Sequence, residues 1–241
     1  MIAVLSVEAR KLNRSLAALL ALAAPTLIAI FLFFNMLRGD KPPSWEMSLQ
    51  GSTAIWAFFM LPMSVTALTA LVAHMEHGPR AWDHLRALPV ARWKLYAAKA
   101  ICLIVVIFAM SMLNLALSLG AISAAVAMKP ALAPTGTLAL VGQVATVGKV
   151  VLAAILLIAI QLWTALRFSS FVPALALGIG GTFFSVVATA AKQGVFFPWQ
   201  MPINVLAGEA WRLNTALALG GGVGTVILLL AIAHLTRREV L

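Results

Sequence analysis

The residues of this 241-residue chain that could do chemistry do not form a complete nucleotide site. Gly142, Gly148 and Lys149 resemble a phosphate-binding loop, but five residues separate the two glycines where that loop has four. Val150 also stands where a serine or threonine would bind Mg²⁺. We therefore expect the chain to bind no cofactor of its own, so that any ATP and Mg²⁺ must be bound by a partner subunit.

Histidines cluster at one point of the sequence but lack the spacing of a metal site. His74 and His77 are three residues apart, with Glu76 between them and His84 further on. This differs from the His-Glu-x-x-His pattern that places two ligands and a base on one helix face. A helix that leaves the membrane at this point would carry polar side chains in any case. This explains the cluster, so we expect no metal site. The chain also lacks a Gly-x-Ser-x-Gly elbow, and we expect it not to be an enzyme.

The sequence around these residues consists largely of six apolar stretches. Each is close to or above the ~20 residues that a helix needs to cross a bilayer. None of them contains Asp or Glu. Acidic residues inside a membrane usually belong to proton or ion relays, so uphill transport by this chain would need energy from a partner. The stretches are residues 16–37, 54–73, 100–127, 144–166, 172–190 and 215–235.

Composition predicts an all-α integral membrane protein. Hydrophobic residues make up 63% of the chain and charged residues 10%, which is too little polar surface to cover a soluble globule. We predict one transmembrane domain over residues 1–241 with six transmembrane helices. The net charge of +10 would suggest nucleic acid in a soluble protein. Here most Lys and Arg flank apolar stretches, so we expect contact with membrane lipid and no nucleic-acid partner.

The distribution of basic residues predicts the orientation. If the N-terminus is cytoplasmic, eleven Lys and Arg lie on the inner side and six on or near the outer side. We predict a multi-pass protein with both termini in the cytoplasm. The first stretch is longer than the apolar core of a signal peptide and ends without a convincing cleavage site, so we expect it to remain as a span.

The chain before the first span has helical periodicity. Leu5, Ala9 and Leu12 recur on one side, while Arg10 and Lys11 project towards the other. This pattern predicts an amphipathic helix on the inner membrane surface. The alternative is a basic flank that only fixes orientation.

A short helix is predicted between the second and third spans. Gly78-Pro79 favours a helix start, and Pro89 ends it. Trp82, Leu85 and Leu88 then share one side of the helix. An apolar ridge with a charged border is typical of a docking surface, since aromatic and Arg residues often dominate interfaces. In the alternative interpretation, the ridge packs against the protein's own helix ends.

This region resembles the first cytoplasmic loop of permeases in the type-2 ATP-binding cassette (ABC-2) exporter family. In those permeases an acidic residue leaves the second span, a coupling helix follows, and a Leu-Pro-Val-small-Arg turn leads to a Lys, here Lys99. The opening residues 8–15 resemble the family's amphipathic first helix, and the chain is most similar to lantibiotic-immunity and bacteriocin-export permeases. The resemblance implies an ATPase-coupling interface formed by Glu76, Trp82, Asp83, Leu85, Arg86, Leu88, Pro89 and Arg92.

The connection before the last span is unusually apolar. It is too short and too broken by proline to cross the membrane, so we expect it to lie in the interface or to re-enter the protein. In the permeases that it resembles, short external helices at this point close the outer end of the pathway. A plain aromatic anchor is the alternative. The residues of this predicted external gate are Phe196, Phe197, Pro198, Trp199 and Pro202.

Two amides and several glycines lie inside the apolar stretches. Asn114 and Gln161 should face the bundle or a water-filled pathway, because an unsatisfied amide is costly in lipid. Structural hydrogen bonding is the alternative to a pathway role. Gly220 and Gly224 allow close helix contact, either within the chain or with another subunit.

Taken with the resemblance, these features predict the permease subunit of an ATP-driven exporter in the bacterial cytoplasmic (inner) membrane. The resemblance implies a second permease copy or a paralogous permease, and two copies of a cytoplasmic ATP-binding cassette ATPase. Apolar spans suit an amphiphilic cargo that is peptide, drug-like or lipid-like. A partner-independent channel or facilitator and a non-transporting membrane scaffold or sensor remain open as alternatives.

Overall fold

A computed structural model describes residues 1–13, 15–77, 91–189 and 191–237, and in these ranges the protein is helical without a β-strand. The predicted all-α class is therefore confirmed. The nearest approach to sheet pairing is one isolated bridge between Ser44 and Thr135. There the Trp45 amide donates to the Thr135 carbonyl (3.2 Å), which joins two connections at one end of the bundle.

The first two helices are α1 (Ile2–Asn13) and α2 (Leu16–Arg38). Ser15 separates them because its extended backbone and its hydroxyl, which accepts from the Ala17 amide (3.1 Å), form an N-cap. Helix α1 packs against the third long helix as well as against α2. An N-terminal helix thus forms as predicted, although its position on a membrane surface stays a prediction.

The second apolar stretch lies in a run of three helical segments, α3 (Trp45–Ile55), a π-helical turn (Trp56–Met60) and α4 (Leu61–His77). The helix starts well before residue 54 because Ser44 caps it, accepting from the Met47 amide (3.1 Å), and Glu46 occupies its first turn. The third stretch lies in α5 (Arg92–Met128), whose 37 residues span roughly 55 Å.

The fourth apolar stretch, predicted as one continuous span over residues 144–166, is bent. Helices α6 (Leu140–Ala153) and α7 (Ile155–Arg167) meet at Ala154 with a bend of 40°. Residues 142–149, which resemble a phosphate loop in sequence, lie inside α6. Helix α8 (Val172–Ala188) follows.

The end of the chain combines short and long segments. A 3₁₀ turn (Lys192–Phe196) and α9 (Met201–Asn204) precede α10 (Ala210–Ala216), a π-helical segment (Leu217–Val223) and α11 (Gly224–Arg237), which run on without a break.

In the described residues, four helices are long and apolar enough to cross a membrane, and the bent pair α6–α7 would make a fifth. Helix α8 has 17 residues, or roughly 26 Å, which is short against the ~30 Å hydrocarbon core. These helices indicate a multi-pass membrane protein with four or five spans. The predicted number of six spans is not confirmed and stays a prediction.

Close packing holds the long helices together. Helix α2 lies along α5, α11 along α7, and α4 against both α7 and α8. Gly220 and Gly224 face the bend between α6 and α7, where a Cβ on Gly220 would lie 2.1 Å from the Ala153 carbonyl oxygen. These two glycines therefore contact the chain's own helices, in agreement with the intrachain packing alternative.

Candidate functional site

The predicted ATPase-coupling interface lies largely outside the described residues. Trp82, Asp83, Leu85, Arg86, Leu88 and Pro89 belong to residues 78–90, which the structure does not describe. Glu76 lies in the last turn of α4, and Arg92 is the exposed first residue of α5. The coupling helix therefore stays a prediction, and the structure defines the two helix ends that flank it.

A buried ion pair joins α1 to the start of α5. The Glu8 carboxylate contacts the Lys99 ammonium at 2.9 Å through Oε2 and the Lys11 ammonium at 2.9 Å through Oε1. The Glu8 and Lys99 side chains are only 6% and 1% exposed. Because charges are costly to bury, each holds the other in place, and removal of one partner is strongly destabilising.

This ion pair fixes the helix start beside the predicted coupling segment. The two residues are 91 positions apart in sequence, and Lys99 lies in the second turn of α5 after Arg92. The family resemblance implies that Lys99 lies at the start of a span, but nothing in the sequence pattern predicted a partner for Glu8. A signal was present, because Glu8 is the only acidic residue before Asp40 and the predicted topology places it on the same side of the membrane as Lys99.

Asn114 belongs to a polar seam between α5 and the helix that contains Ser52 and Trp56. Its Nδ2 donates to the Ser52 hydroxyl (3.3 Å), which also bonds the Ser118 hydroxyl (2.6 Å). One turn away, Trp56 Nε1 donates to the Ser111 hydroxyl (2.9 Å). All five side chains are buried, and Asn114 Oδ1 has no hydrogen-bond partner in the described part of the chain. The seam holds the two helices together.

Gln161 makes a separate contact, with the backbone of α8. In the amide orientation that satisfies its neighbours, it donates to the Ala174 carbonyl (3.2 Å) and accepts from the Gly178 amide (3.0 Å). No hydrogen bond among the described residues links Gln161 with Asn114. Both amides make the structural hydrogen bonds of the alternative interpretation, and a role in the cargo pathway stays a prediction.

The apolar segment before the last helices packs into the bundle. Trp199 is only 4% exposed and stacks on Phe197 with 5.1 Å between ring centroids. Phe197 also meets Phe184 of α8 edge to face. Gly181 gives the Trp199 ring its space, since a Cβ there would lie 2.4 Å from the indole. By contrast, Phe196 is exposed.

Polar side chains fasten the same segment to the end of α8. The Gln200 amide donates to the Ser185 carbonyl and to the Thr189 hydroxyl (2.9 Å). Asn204 then donates to the Gln200 carbonyl (2.8 Å), and Pro202 beside it is buried. The sequence pattern did not predict a role for these two amides. The contacts form a docked segment, and its role as an external gate stays a prediction.

Comparison with known proteins supplies the family. Residues 4–185 match the family described as ABC-2 family transporter protein, which covers more than half of the chain. No curated protein matches the chain. The matched region runs from α1 into α8 and includes Glu8, Lys99 and the segment between α4 and α5. Permeases of this family typically have no catalytic activity and generally work with an ATP-binding cassette ATPase. Closeness to lantibiotic permeases stays a prediction. The chain belongs to the ABC-2 transporter family.

Proposed function

We propose that this protein is the membrane-spanning permease subunit of an ATP-driven exporter that moves an amphiphile out of the cytoplasm. The single observation that supports this function is the family match over residues 4–185 in a chain built of long apolar helices. The sequence has no complete phosphate loop, so ATP hydrolysis belongs to a separate cytoplasmic ATPase subunit.

The proposed assembly has two permeases and two ATPase subunits in the bacterial inner membrane, with both permease termini in the cytoplasm. Each permease crosses the membrane six times, with α8 as the short fifth span. The bias of basic residues supports this orientation. The docked segment of residues 191–209 closes the outer end of the pathway, and its aromatic packing against α8 supports that role.

The proposed coupling runs through the helix predicted for residues 79–88. ATP draws the ATPase subunits together, and their movement reaches the spans through the ridge of Trp82, Leu85 and Leu88. The segment joins α4 directly to α5, whose start is bonded to α1 by the Glu8–Lys99 pair. A force applied to the loop therefore reaches three helices, which would change access from one side of the membrane to the other.

The cargo class follows from the surface of the helices. Apolar side chains such as Phe31, Phe34 and Phe183 are more than half exposed, and the six apolar stretches of the sequence contain no Asp or Glu that could bind an ion. An amphiphile that partitions into the bilayer suits this surface better than a small ion.

The test compares two tryptophan substitutions in the permease co-purified with its cognate ATPase and reconstituted in vesicles. Trp82→Asp places a charge on the proposed ridge, whereas Trp211→Asp makes the same change at a tryptophan that is 45% exposed in α10. We expect Trp82→Asp to abolish ATPase assembly and ATP-dependent transport, and Trp211→Asp to retain both.

Three results would count against this function. Normal assembly and transport by the Trp82→Asp protein would exclude the coupling ridge. Downhill flux through the permease alone, independent of ATP, would indicate a channel or facilitator. Stable binding of signalling proteins without any flux would indicate a scaffold or sensor.

A further inference from the structure

A cavity of about 650 Å³ lies between α1, α2 and α5. This volume is within the range of about 300–1,000 Å³ that is usual for ligand sites. Small side chains of α2, including Ala18 and Ala21, leave the space open opposite Ile101 and Val105 of α5. The lining is mostly apolar, so the cavity is suited to a hydrocarbon chain.

The cavity opens outward, on an exposed apolar surface of the helices. Leu22 and Val105, which line it, are 60% and 59% exposed. Leu22 lies two turns beyond the helix cap at Ser15, so the cavity extends roughly 10 Å along α2 from the level of α1. Water does not fill an apolar cavity of this kind, and the neighbouring phase is acyl chains.

The polar residues of the cavity lie together on α1. Ser6 and Asn13 line it, and Arg10, which does not line the cavity itself, neighbours both on the helix because it follows Ser6 by four positions and precedes Asn13 by three. Arg10 is exposed, and no carboxylate in the described part of the chain forms an ion pair with it. The nearby Glu8 carboxylate is already bound by Lys11 and Lys99.

We propose that this cavity binds one acyl chain of an anionic phospholipid, with the lipid phosphate on Arg10. A guanidinium group can bind two phosphate oxygens at once, which favours a phosphate headgroup over a neutral one. The lipid comes from the leaflet on the side of α1. The site stands independently of the proposed export function, since it needs only that the chain lies in a bilayer.

A second copy of the chain is the competing occupant, and charge disfavours it. A symmetric dimer contact through this cavity would place the same surface of each copy against the other. That contact would contain two Arg10 side chains, and the described residues around the cavity offer no carboxylate beyond Glu8, which Lys11 and Lys99 already bind. A phosphate headgroup instead supplies the missing negative charge.

The main test is native mass spectrometry of the purified full chain titrated with phosphatidylglycerol or phosphatidylcholine. We expect one phosphatidylglycerol to bind more tightly than phosphatidylcholine. Arg10→Gln should weaken phosphatidylglycerol binding about fivefold, the factor that corresponds to about 1 kcal/mol per basic residue at an anionic headgroup. Arg38→Gln, the matched change at the exposed far end of α2, should leave it unaltered.

A second measurement locates the chain of the lipid. Phosphatidylglycerol with a photoreactive group in one acyl chain should crosslink to peptides containing Ala18, Ile101 or Val105. Ala21→Phe should reduce this labelling by filling the cavity. If that variant does not fold, the Arg10→Gln comparison and the crosslink positions still decide the question.

Four outcomes would overturn the proposal. The first is equal affinity for the two lipids in the wild-type chain. The second is crosslinking confined to other surfaces, and the third is lipid binding unchanged by Arg10→Gln. The fourth is a chain dimer that Ala21→Phe dissociates without any effect on lipid binding, which would assign the cavity to a second copy.

Discussion

Three consecutive glycines in the last long helix provide a graded test of how closely it packs against the bend in α6–α7. A Cβ at Gly220 would lie 2.1 Å from the Ala153 carbonyl oxygen, which is backbone and cannot rotate away. A Cβ at Gly221 would lie 2.9 Å from Leu152 Cγ, in a side chain that can move. A Cβ at Gly222 would meet nothing within 4 Å.

The distances set the expected order of stability. Ordinary carbon contacts are about 3.5–4.0 Å, so Gly220→Ala must separate the two helices by more than about 1 Å. Overpacking usually costs about 1–3 kcal/mol, and we expect the upper part of that range because the contact is with backbone. Alanine regains about 1 kcal/mol through helix propensity. The net loss of about 1–2 kcal/mol lowers the melting temperature by roughly 2–8 °C.

The assay uses the single cysteine of the chain. Cys102 is buried, so a thiol-reactive dye reports unfolding of the purified protein in detergent. We expect Gly220→Ala to melt lowest, Gly221→Ala to lie between, and Gly222→Ala to melt at or slightly above wild type. If Gly220→Ala melted as high as Gly222→Ala, the contact between the last helix and Ala153 would be wrong.

Two further predictions use the same melting assay with matched controls. Glu8→Gln removes the carboxylate 2.9 Å from the buried Lys99 ammonium and should lower the free energy of unfolding by about 3–5 kcal/mol. As the control, Glu46→Gln changes an exposed residue and should lower it by less than about 1 kcal/mol. Equal melting temperatures for the two variants would contradict the buried ion pair. Trp199→Ala should lower the free energy of unfolding by about 3–5 kcal/mol, because the ring is only 4% exposed. The control Trp211→Ala should lower it by about 0.5–1 kcal/mol. An equal loss of stability in the two variants would contradict the packing of the segment before α10 into the bundle.

Sequence patterns predicted the helices well because the signal for a span is local. Apolar composition over ~20 residues requires a helix in a bilayer whatever the rest of the chain does. The starts were less accurate where a cap extended the helix beyond its apolar part, as Ser44 does for α3. Hydropathy also cannot detect the bend at Ala154, since the residues on both sides of it are equally apolar.

The contacts of the candidate site were harder to predict because they join distant parts of the chain. The Glu8–Lys99 pair needs both the topology and the position of α1 against α5, and neither residue's own neighbourhood reveals the other. The Gln200 contacts with Ser185 and Thr189 depend likewise on how the segment turns back onto α8. The aromatic residues of the segment before α10 identified it in the sequence. The hydrogen bonds of its amides determine where it packs against α8.

Polar residues are therefore the most informative positions inside an apolar helix. An apolar side chain is equally stable against lipid or protein, so hydropathy cannot distinguish exposed Phe183 from buried Trp56. A polar group has no partner in hydrocarbon and must face the protein interior. Ser111, Asn114 and Ser118 follow one another at helical spacing, and this alone identifies one face of α5 as buried. The spacing of such groups predicts which side of a span packs against its neighbours, even where it does not say which neighbour.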